Sequence, residues 1–434
     1  MKTSRRQFFG LAAGAAALTG LQAAPARAAK VKTRAKIVIL GAGAAGTAMA
    51  NRLDDRLKGA EITLIDGRKQ HWYQPGFTLI ASGLKPADYS VTQTPDWLPR
   101  SAKLIPEYVA EIDPAAKKVM TAGGATVEYD YLVVALGIKL DWDAIEGFSL
   151  DMVGENGIGA VYAGPDYAAK TWKAMDRFTD EGGEGLFYRP ATEMKCAGAP
   201  LKYTFITDDY ARRKDTRDKM NITYAAHSKS FFGVPIVNEK VRMLFEDRGF
   251  ETTFDHVLKS IDPARKLATF STPEGDTELP YDFTNVIPPQ VAPDVIRNSD
   301  LPWQDGKWAA QGWLEVDKYN LQHVRYPEVF AVGDIAGVPK GKTAASVKWQ
   351  VPVVEDHLVA AIEGKEGTKL YNGYTSCPMI TRIGRAMLVE FDYNNNLVPS
   401  FPGIIAPLEE LWISWLMKEV ALKATYNAML RGKA

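Results

Sequence analysis

The chain reads KIVILGAGAAG from Lys36 to Gly46, a short apolar run followed at once by the pattern G-x-G-x-x-G. An uninterrupted apolar run of this length is typical of a buried parallel strand. The pattern of residues 44–57 predicts a helix, and EITLI at 61–65 predicts a second strand, so residues 36–66 form one predicted βαβ unit. The connecting turn lets a pyrophosphate approach the positive end of the helix, and the predicted contacts are Gly41, Gly43 and Gly46.

Asp66 stands at the end of the second predicted strand. A carboxylate at this point can hydrogen-bond a ribose hydroxyl, whereas an arginine would accommodate a 2′-phosphate. The sequence therefore predicts a site for FAD or NAD. A merely flexible glycine turn is the alternative, and the strand before the turn and the helix after it argue against that alternative.

Further short apolar runs alternate with helical patterns along the chain, which favours an α/β architecture. The other strand candidates are Tyr131–Ala135, Leu186–Tyr188, Asn221–Ala225, Phe283–Ile287 and Val329–Val332. We predict two Rossmann-like dinucleotide-binding domains, followed by a C-terminal amphipathic helical region that associates with a membrane.

The composition is ordinary for a globular protein, with 46% apolar and 24% charged residues in a chain of 434. Basic and acidic residues both number 52, so no positive excess points to nucleic acid as a partner. The 2 cysteines exclude a disulfide scaffold and a four-cysteine zinc or iron–sulfur site, and the 5 histidines lack metal-ligand spacing. We therefore predict no metal site. The sequence also lacks an uninterrupted apolar run of about 20 residues, so we predict no membrane-spanning helix.

Residues 1–28 have the features of an export signal. SRRQFF at 4–9 has the twin-arginine form, an Ala-rich apolar stretch follows, and Ala26-Arg27-Ala28 resembles a cleavage site. Removal of this segment leaves a mildly acidic mature chain. We predict export by the twin-arginine pathway and a periplasmic protein peripherally associated with the inner membrane; a short amphipathic N-terminal helix is the alternative.

Two later segments resemble those of flavoproteins with two dinucleotide-binding domains. YDYLVVALG at 129–137 resembles their central segment, and VFAVGD at 329–334 resembles the segment whose aspartate lies against the flavin ribityl and phosphate region. This resemblance implies non-covalently bound FAD, with Gly333 and Asp334 among its contacts. Residues 150–290 contain no second glycine fingerprint after a strand, so the electron donor is predicted not to be a nicotinamide.

The two cysteines are widely separated, with Cys196 in KCAGAP and Cys377 in YTSCP. Their spacing is not that of a C-x-x-C redox motif. A structural disulfide across this long loop is one interpretation, contributing about 5 kcal/mol at most in the chain-entropy model. A redox-active pair at the flavin is the other, and cysteine count and export leave both open.

The surrounding segments resemble those of sulfide:quinone oxidoreductases from about residue 36 to the end of the chain. Besides the glycine fingerprint and VFAVGD, the matching segments are HWYQPG at 71–76, KCAGAP at 195–200, VIPP at 286–289, GKTAA at 341–345, GYTSCP at 373–378 and EFDY at 390–393. With two cysteines, the chain resembles the two-cysteine branch of that family.

This resemblance implies FAD-dependent oxidation of sulfide to sulfane sulfur or polysulfide, with electrons passed to a membrane quinone. Hydrosulfide would attack a Cys196–Cys377 bridge, leaving a persulfide and a thiolate that passes charge to the flavin, and a sulfur acceptor would then take the sulfane sulfur. Lys342 is a candidate for the flavin pyrimidine side, with a solvated surface lysine as the alternative. His227 is the best candidate base, although an ordinary hydrogen-bonded histidine has the same sequence signature.

The C-terminal region carries apolar residues at helical spacing, among them Trp412 and Trp415, with basic residues Lys418, Lys423 and Arg431 beside them. Such a pattern suits an interfacial helix in the head-group plane, and a pair of core helices is the alternative. Phe391 and Tyr393 are candidates to flank the quinone ring. A homo-oligomer remains open.

The domain boundaries predicted on this basis are residues 36–150 with 290–375 for the FAD-binding domain and 151–289 for the second Rossmann-like domain. Residues 376–434 are predicted to hold the quinone site and the membrane-association region. Two other functions stay open: the flavin subunit of a flavocytochrome c sulfide dehydrogenase with a haem partner, and a non-catalytic flavin-binding protein with a structural disulfide.

Overall fold

Two parallel β-sheets organise residues 29–434, the part of the chain that the computed structural model describes. The export signal predicted for residues 1–28 lies outside this range. In the first sheet, all neighbouring strands are parallel, and their order is Val329–Ala331, Tyr131–Val134, Lys36–Leu40, Glu61–Ile65 and Lys103–Ile105. The edge strand Val329–Ala331 therefore comes from a part of the chain that follows all the strands of the second sheet.

The second sheet is also parallel throughout. Its strand order is Ile158–Gly159, Phe283–Asn285, Gly183–Tyr188, Met220–Ala225 and Glu251–Thr253. In both sheets, parallel strands place the carboxyl ends of neighbours at one edge, which is where ligands bind in open α/β sheets.

Antiparallel elements surround the two sheets. Two three-stranded sheets comprise Val109–Asp113, Lys118–Thr121 and Thr126–Glu128, and Val257–Asp262, Leu267–Thr272 and Gly275–Pro280. Antiparallel pairs join Gln70–Trp72 to Val91–Gln93, Lys139–Leu140 to Gln290–Val291, and Thr375–Arg382 to Arg385–Phe391. A short parallel pair joins Val31–Lys32 to Leu57–Lys58.

The helices cover the sheets and connect their strands. The α-helices are Ala44–Arg56, Phe77–Ile80, Pro165–Glu181, Ala199–Arg213, Pro235–Asp247, Asp294–Arg297, Ala344–Ile362, Trp412–Leu416 and Leu422–Leu430. No helix within residues 29–434 is both long and apolar enough to cross a membrane.

The predicted α/β architecture is confirmed. Lys36–Leu40 and Glu61–Ile65 have the predicted bounds, and the helix predicted over residues 44–57 ends one residue earlier. The remaining predicted strands exist, with ends shifted by one to three residues, as is usual where strands fray into turns. The domain boundaries stay a prediction.

The C-terminal segment, which we define as residues 412–430, consists of the last two helices and the π-helical turn Met417–Ala421 between them. One face of this segment is buried and carries Trp415, Tyr426, Met429 and Leu430, the last three within the core of the first sheet. The opposite face leaves Trp412, Ile413 and Val420 exposed by 50%, 41% and 61%. The segment thus combines a core face with an exposed apolar face.

Candidate active site

The glycine turn predicted from the sequence has no room for a side chain at two of its three positions. Gly41 has φ +94°, and a Cβ there would lie 2.6 Å from the carbonyl oxygen of Ala135. At Gly46 a Cβ would lie 1.8 Å from the carbonyl oxygen of Gly41. Gly43 differs, because the nearest atom to its Cβ position is a guanidinium nitrogen of Arg68 at 3.6 Å. The space in front of Gly43 is therefore where another molecule can approach the helix N-terminus.

Asp66 is fixed to this turn by its carboxylate. The backbone N–H of Ala42 donates to Asp66 Oδ2 at 2.7 Å, and Arg68 donates to the same carboxylate from its backbone and its guanidinium at 2.9 and 2.8 Å. Burial opposes ionisation of Asp66, but the hydrogen bonds and charge of Arg68 prevail and hold its pKa below the usual value. Asp66 is thus an anion at neutral pH, as recognition of ribose hydroxyls requires.

Gly333 and Asp334 lie against the same turn. Gly333 has φ +84°, its N–H donates to Gln350 Oε1 at 2.7 Å, and a Cβ there would come 3.1 Å from the Cβ of Ala45. Burial raises the pKa of the neighbouring Asp334, although the charges of Lys195 and Lys342 oppose this rise.

Lys342 is not a surface lysine. Its ammonium donates to the carbonyl oxygens of Asp334 and Ala336 and lies 3.6 Å from the centre of the Trp313 ring. Burial lowers the pKa of Lys342 to about 8. Its backbone carbonyl accepts from the N–H of Cys196 at 2.9 Å, so the loop that carries Lys342 also positions the cysteine loop.

The residues around this cleft fit a dinucleotide such as FAD. Besides the open approach at Gly43, the half-buried ammonium of Lys195 donates to Gln74 Oε1 at 2.7 Å, and desolvation lowers the pKa of Lys195 to about 8. Within the described part of the chain, neither Lys195 nor Lys342 is paired to a carboxylate. Positive charge at this depth, with no ion pair among the described residues to neutralise it, suits an anionic group of a bound dinucleotide.

Cys196 lies in the loop that enters helix Ala199–Arg213 from the second sheet. In a dinucleotide-binding domain with a glycine fingerprint, this strand-to-helix connection would hold the phosphates. Here Cys196 adopts φ +47°, which is uncommon outside glycine, and its carbonyl accepts from the N–H of Ala199 at 2.8 Å. The loop therefore presents a thiol near the positive end of a helix, an environment that favours the thiolate.

Cys377 approaches Cys196 from strand Thr375–Arg382. Its side chain is 3% exposed, and the two sulfurs are in hydrogen-bonding contact as free thiols. Gly198 makes this approach possible, since a Cβ there would lie 2.3 Å from Cys377 Sγ. The structure thus brings together two cysteines that the sequence left far apart.

Two buried lysines face the sulfur pair. Lys202 is 3% exposed and its ammonium donates to Cys196 Sγ at 3.3 Å, while Lys418, 4% exposed, donates to the carbonyl oxygen of Pro75 at 2.6 Å. The contact with Cys377, followed by the charges of Lys202 and Lys418, lowers the pKa of Cys196 well below its usual value although burial opposes the change. The contact with Cys196 and burial raise the pKa of Cys377.

The C-terminal segment also reaches the glycine turn. The hydroxyl of Tyr426 donates to His71 Nε2 at 2.7 Å, and His71 Nδ1 faces the carbonyl oxygen of Ala42 at 3.4 Å. Burial lowers the pKa of His71 to about 4, so this histidine is neutral at physiological pH.

His227 follows strand Met220–Ala225 of the second sheet. Its Nδ1 is buried without a hydrogen-bond partner among the described residues, and burial followed by the charge of Arg189 lowers its pKa to about 4. The base role suggested by the sequence stays a prediction, because no described contact joins His227 to either cysteine.

Phe391 and Tyr393 pack in different places. The Phe391 ring is buried edge-on against Phe232 with centroids 5.8 Å apart, and the Lys340 ammonium lies 5.5 Å from its centre. The hydroxyl of Tyr393 donates to the carbonyl oxygen of Lys318 at 2.7 Å, and its ring packs against Tyr371. A quinone-flanking role stays a prediction for both. Across residues 29–434, no group of three or more His, Cys, Asp or Glu side chains is arranged to hold a metal ion.

Sequence reasoning did not identify Lys195, Lys202 or Lys418 as site residues. Lys195 and Lys202 flank Cys196 at the start of a helix, so a search for basic residues near that cysteine would have found them. Lys418 was expected on the basic edge of an interfacial helix, which is wrong, because the π-helical turn directs it inward to Pro75.

Comparison with known proteins first defines a class. Residues 35–161 match the family model described as pyridine nucleotide-disulphide oxidoreductase. The fold matches the solved sulfide:quinone oxidoreductase of Aquifex aeolicus with a TM-score of 0.75 and 21% identity, covering 92% of each chain. The chain therefore carries a region similar to a pyridine nucleotide-disulphide oxidoreductase domain, within an α/β fold shared with this solved structure.

Curated relatives then identify the family. The chain is 34% identical to the mitochondrial sulfide:quinone oxidoreductase of Mus musculus over 92% of its own length and 87% of the relative's. It is also 34% identical to the mitochondrial sulfide:quinone oxidoreductase of Dictyostelium discoideum, covering 93% and 88% of the two chains. The chain belongs to the sulfide:quinone oxidoreductase family and is an oxidoreductase, so the resemblance drawn from the sequence is confirmed.

Proposed function

We propose that this protein oxidises sulfide to sulfane sulfur or polysulfide and passes the electrons through FAD to a membrane quinone, with Cys196 and Cys377 as its redox-active pair. The observation that carries this proposal is the contact between two free thiols on separate elements. One of these elements is the loop whose Cys196 N–H bonds the carbonyl of Lys342, next to the FAD cleft. A structural disulfide would need neither the lysines around the pair nor its place beside that cleft.

The cysteines supply the sulfur chemistry. Hydrosulfide attacks one sulfur of the Cys196–Cys377 disulfide, so one S–S bond breaks, a new S–S bond forms, and the products are one persulfide and one thiolate. The better leaving group is the sulfur whose thiolate is better stabilised, and the Lys202 ammonium donates to Cys196 Sγ at 3.3 Å. We therefore assign the persulfide to Cys377 and the thiolate to Cys196.

A sulfur acceptor of thiolate, sulfite or sulfide type completes the transfer. It attacks the outer sulfur of the persulfide, takes that sulfur with it, and leaves Cys377 as a thiol. A bound FAD would supply the acceptor for the two electrons released as the cysteine pair returns to the disulfide, with the quinone as their final acceptor.

Several residues of the chain are proposed to hold FAD. Gly41, Gly43 and Gly46 admit the pyrophosphate to the helix N-terminus, and Asp66 accepts from ribose hydroxyls. In the loop that packs on this turn, Gly333 and Asp334 would contact the ribityl and phosphate region of FAD, and Lys342 would supply positive charge at the flavin pyrimidine side.

Replacement of either cysteine tests the proposal. Cys196→Ser and Cys377→Ser should keep bound FAD, since neither side chain supports the glycine turn, and each should abolish sulfide-dependent reduction of a short-chain quinone. The flavin spectrum and the quinone assay measure the two expectations on the same preparation. Ser271→Ala, on strand Leu267–Thr272, is the control, and near-wild-type activity in either cysteine variant would rule the mechanism out.

The persulfide assignment has its own measurement. One equivalent of sulfide is added anaerobically to the oxidised holoenzyme, free thiols and persulfides are alkylated, and the peptides are analysed by mass. The mass of one added sulfur atom is expected on the Cys377 peptide. Its appearance on the Cys196 peptide instead would reverse the assignment.

The quinone, membrane and localisation proposals rest on the exposed apolar face of the C-terminal segment and on the sequence of residues 1–28. We propose a periplasmic protein exported by the twin-arginine pathway, peripheral to the inner membrane, with a quinone near Phe391 and Tyr393. Comparing sulfide-dependent reduction of a short-chain quinone with that of cytochrome c tests the acceptor. Faster reduction of cytochrome c would favour a haem partner instead.

A further inference from the structure

Lys202 and Lys418 are buried cations without a carboxylate partner. Each ammonium makes one hydrogen bond within residues 29–434, to Cys196 Sγ and to the Pro75 carbonyl oxygen, and neither forms an ion pair there. An ammonium has three donors, so each retains two N–H groups for another acceptor. Charges this deeply buried are normally paired, which indicates that an anion belongs between these lysines and the cysteines.

The two lysines come from different parts of the chain. Lys202 lies in the second turn of helix Ala199–Arg213, near the helix end that carries Cys196. Lys418 lies in the π-helical turn of the C-terminal segment, and five-residue π turns of this kind occur frequently at functional sites. Lys202 touches Cys196 Sγ directly, and the charges of both lysines act on both sulfurs and on each other, so the two ammonium groups lie around the same cysteine pair.

The positive charges of Lys202 and Lys418 indicate what kind of ligand lies between them. Burial and the charge of Lys202 lower the pKa of Lys418 to about 7, which is the response of one buried cation to another. A small anion placed between them would relieve this repulsion. The Cys196 thiolate meets Lys202 directly, which leaves Lys418 for a second anionic sulfur beside the pair.

We propose that Lys202 and Lys418 form an anion site that binds the sulfur substrate as hydrosulfide and stabilises the sulfur anions made from it, with Lys418 supplied by the C-terminal segment. This inference rests on the proposed function. Lys202 holds the Cys196 thiolate, which is the leaving group of the attack. Lys418 holds the incoming hydrosulfide and then the anionic end of the persulfide on Cys377. The C-terminal segment is therefore part of the catalytic site as well as of the surface.

Rapid mixing of sulfide with the oxidised holoenzyme measures substrate binding. The rate of flavin reduction is recorded over a range of sulfide concentrations, and the half-saturating concentration is fitted separately from the limiting rate. In Lys418→Met, the half-saturating sulfide concentration should rise about tenfold or more, as loss of a charged hydrogen bond implies. Lys418→Arg, which keeps the charge, should recover part of the loss. Lys423→Met removes another lysine of the same segment, whose ammonium bonds the Tyr89 carbonyl oxygen, and should leave the value unchanged.

Alkylation of the reduced holoenzyme tests the lysines without turnover. The pH midpoint for reaction of Cys196 with iodoacetamide should rise by about one unit or more in Lys202→Met and in Lys418→Met, because each loses a nearby positive charge. The FAD content of every variant is measured first, and the two independent lysine variants guard against one that does not fold.

The outcomes are distinguishable. Unchanged half-saturating sulfide in both methionine variants would overturn substrate binding by the lysines, even if the alkylation midpoints shift. Unchanged midpoints would overturn stabilisation of the thiolate. A third outcome is that sulfide fails to reduce the wild-type flavin while the alkylation midpoints of the two methionine variants still shift. That result would overturn the proposed function but would still support stabilisation of sulfur anions by the two lysines.

Discussion

Gly43 and Gly46 belong to one turn, but the space around the two positions differs. At Gly46 a Cβ would collide with the backbone of Gly41 at 1.8 Å, so the protein itself forbids it. At Gly43 the protein leaves room, with the nearest atom 3.6 Å away, so we propose that a bound dinucleotide is what requires glycine at this position.

This difference predicts two kinds of defect. Gly46→Ala should lower the unfolding temperature of the FAD-free protein, because the turn must move to accept the methyl group. Gly43→Ala should leave that temperature nearly unchanged while weakening FAD binding about tenfold or more, since the methyl group blocks the pyrophosphate. Thermal unfolding without FAD and titration with FAD measure the two effects. Equal loss of stability in both variants would contradict the assignment of Gly43 to ligand approach.

His71 predicts a dependence of stability on pH. Burial lowers its folded-state pKa to about 4 from the usual 6.5. Between these values the unfolded chain binds a proton that the folded chain does not, so stability should fall as pH drops from about 6.5 to 4. The full shift corresponds to about 3 kcal/mol.

Denaturant unfolding between pH 4 and 7 checks this expectation. His71→Gln can still bond Tyr426 but lacks the titrating ring, so its stability should fall less steeply with acid than that of the wild type. His256→Gln, in the loop before strand Val257–Asp262, should keep the wild-type slope. The same slope in His71→Gln would show that other groups set the acid sensitivity.

Some site residues could be predicted from the sequence, and others could not. Gly41 and Asp66 could be assigned because the turn chemistry is local and repeats a known strand–turn–helix pattern. Lys418 could not, since its partners Pro75 and Lys202 lie far away in sequence and meet it only after the chain has folded. The prediction that Cys196 and Cys377 meet came from family resemblance, because their spacing in the sequence left two interpretations open.

At the scale of elements, the C-terminal segment shows why helical periodicity is ambiguous. A repeat of apolar residues predicts that one face is covered, but it does not say by what. Here Tyr426, Met429 and Leu430 cover the first sheet, while Trp412 and Val420 remain exposed. Strands of the two sheets were easier to predict, since a continuous apolar run implies burial on both faces whichever neighbours are chosen.

The two faces of the segment predict separable functions. The triple variant Trp412→Gln, Ile413→Gln, Val420→Gln should lower partitioning onto vesicles of bacterial lipids by about tenfold or more, since each change removes apolar area from the contact. FAD content and activity with a short-chain quinone should stay near wild type, because none of the three side chains faces the core. Vesicle sedimentation measures the first effect.

The control for this experiment is another set of exposed apolar residues. Replacing Ile236 and Met243 by glutamine, on helix Pro235–Asp247, should leave vesicle binding unchanged. If the triple variant sediments with vesicles as well as the wild type does, the exposed face has some role other than membrane association.

At the scale of the whole molecule, FAD and the C-terminal segment should stabilise each other. Tyr426 of this segment hydrogen-bonds His71, and His71 faces the carbonyl of Ala42 in the glycine turn. A ligand bound at that turn should therefore stabilise the packed position of the segment. A ligand that binds the folded form stabilises the elements it contacts.

Removal of FAD should therefore speed trypsin cleavage after Lys418, which is buried while the segment is seated. Cleavage after the exposed Lys365 should proceed at the same rate with and without FAD, because that lysine lies in the turn after helix Ala344–Ile362. Mass analysis of timed digests measures both sites. Equal rates after Lys418 would show that the segment is held independently of the cofactor.

The hydrogen bond from Asn51 to the carbonyl oxygen of Leu430 joins residues 379 positions apart in the chain. Contacts of such separation form late in folding, because the entropy of closing the loop must be met first. Both sheets can therefore form before this contact does, and the cleft at Gly43 is still open to solvent during that interval. We therefore expect the C-terminal segment to close last, after the cofactor has entered, so that the proposed anion site would be completed only in the flavin-loaded protein.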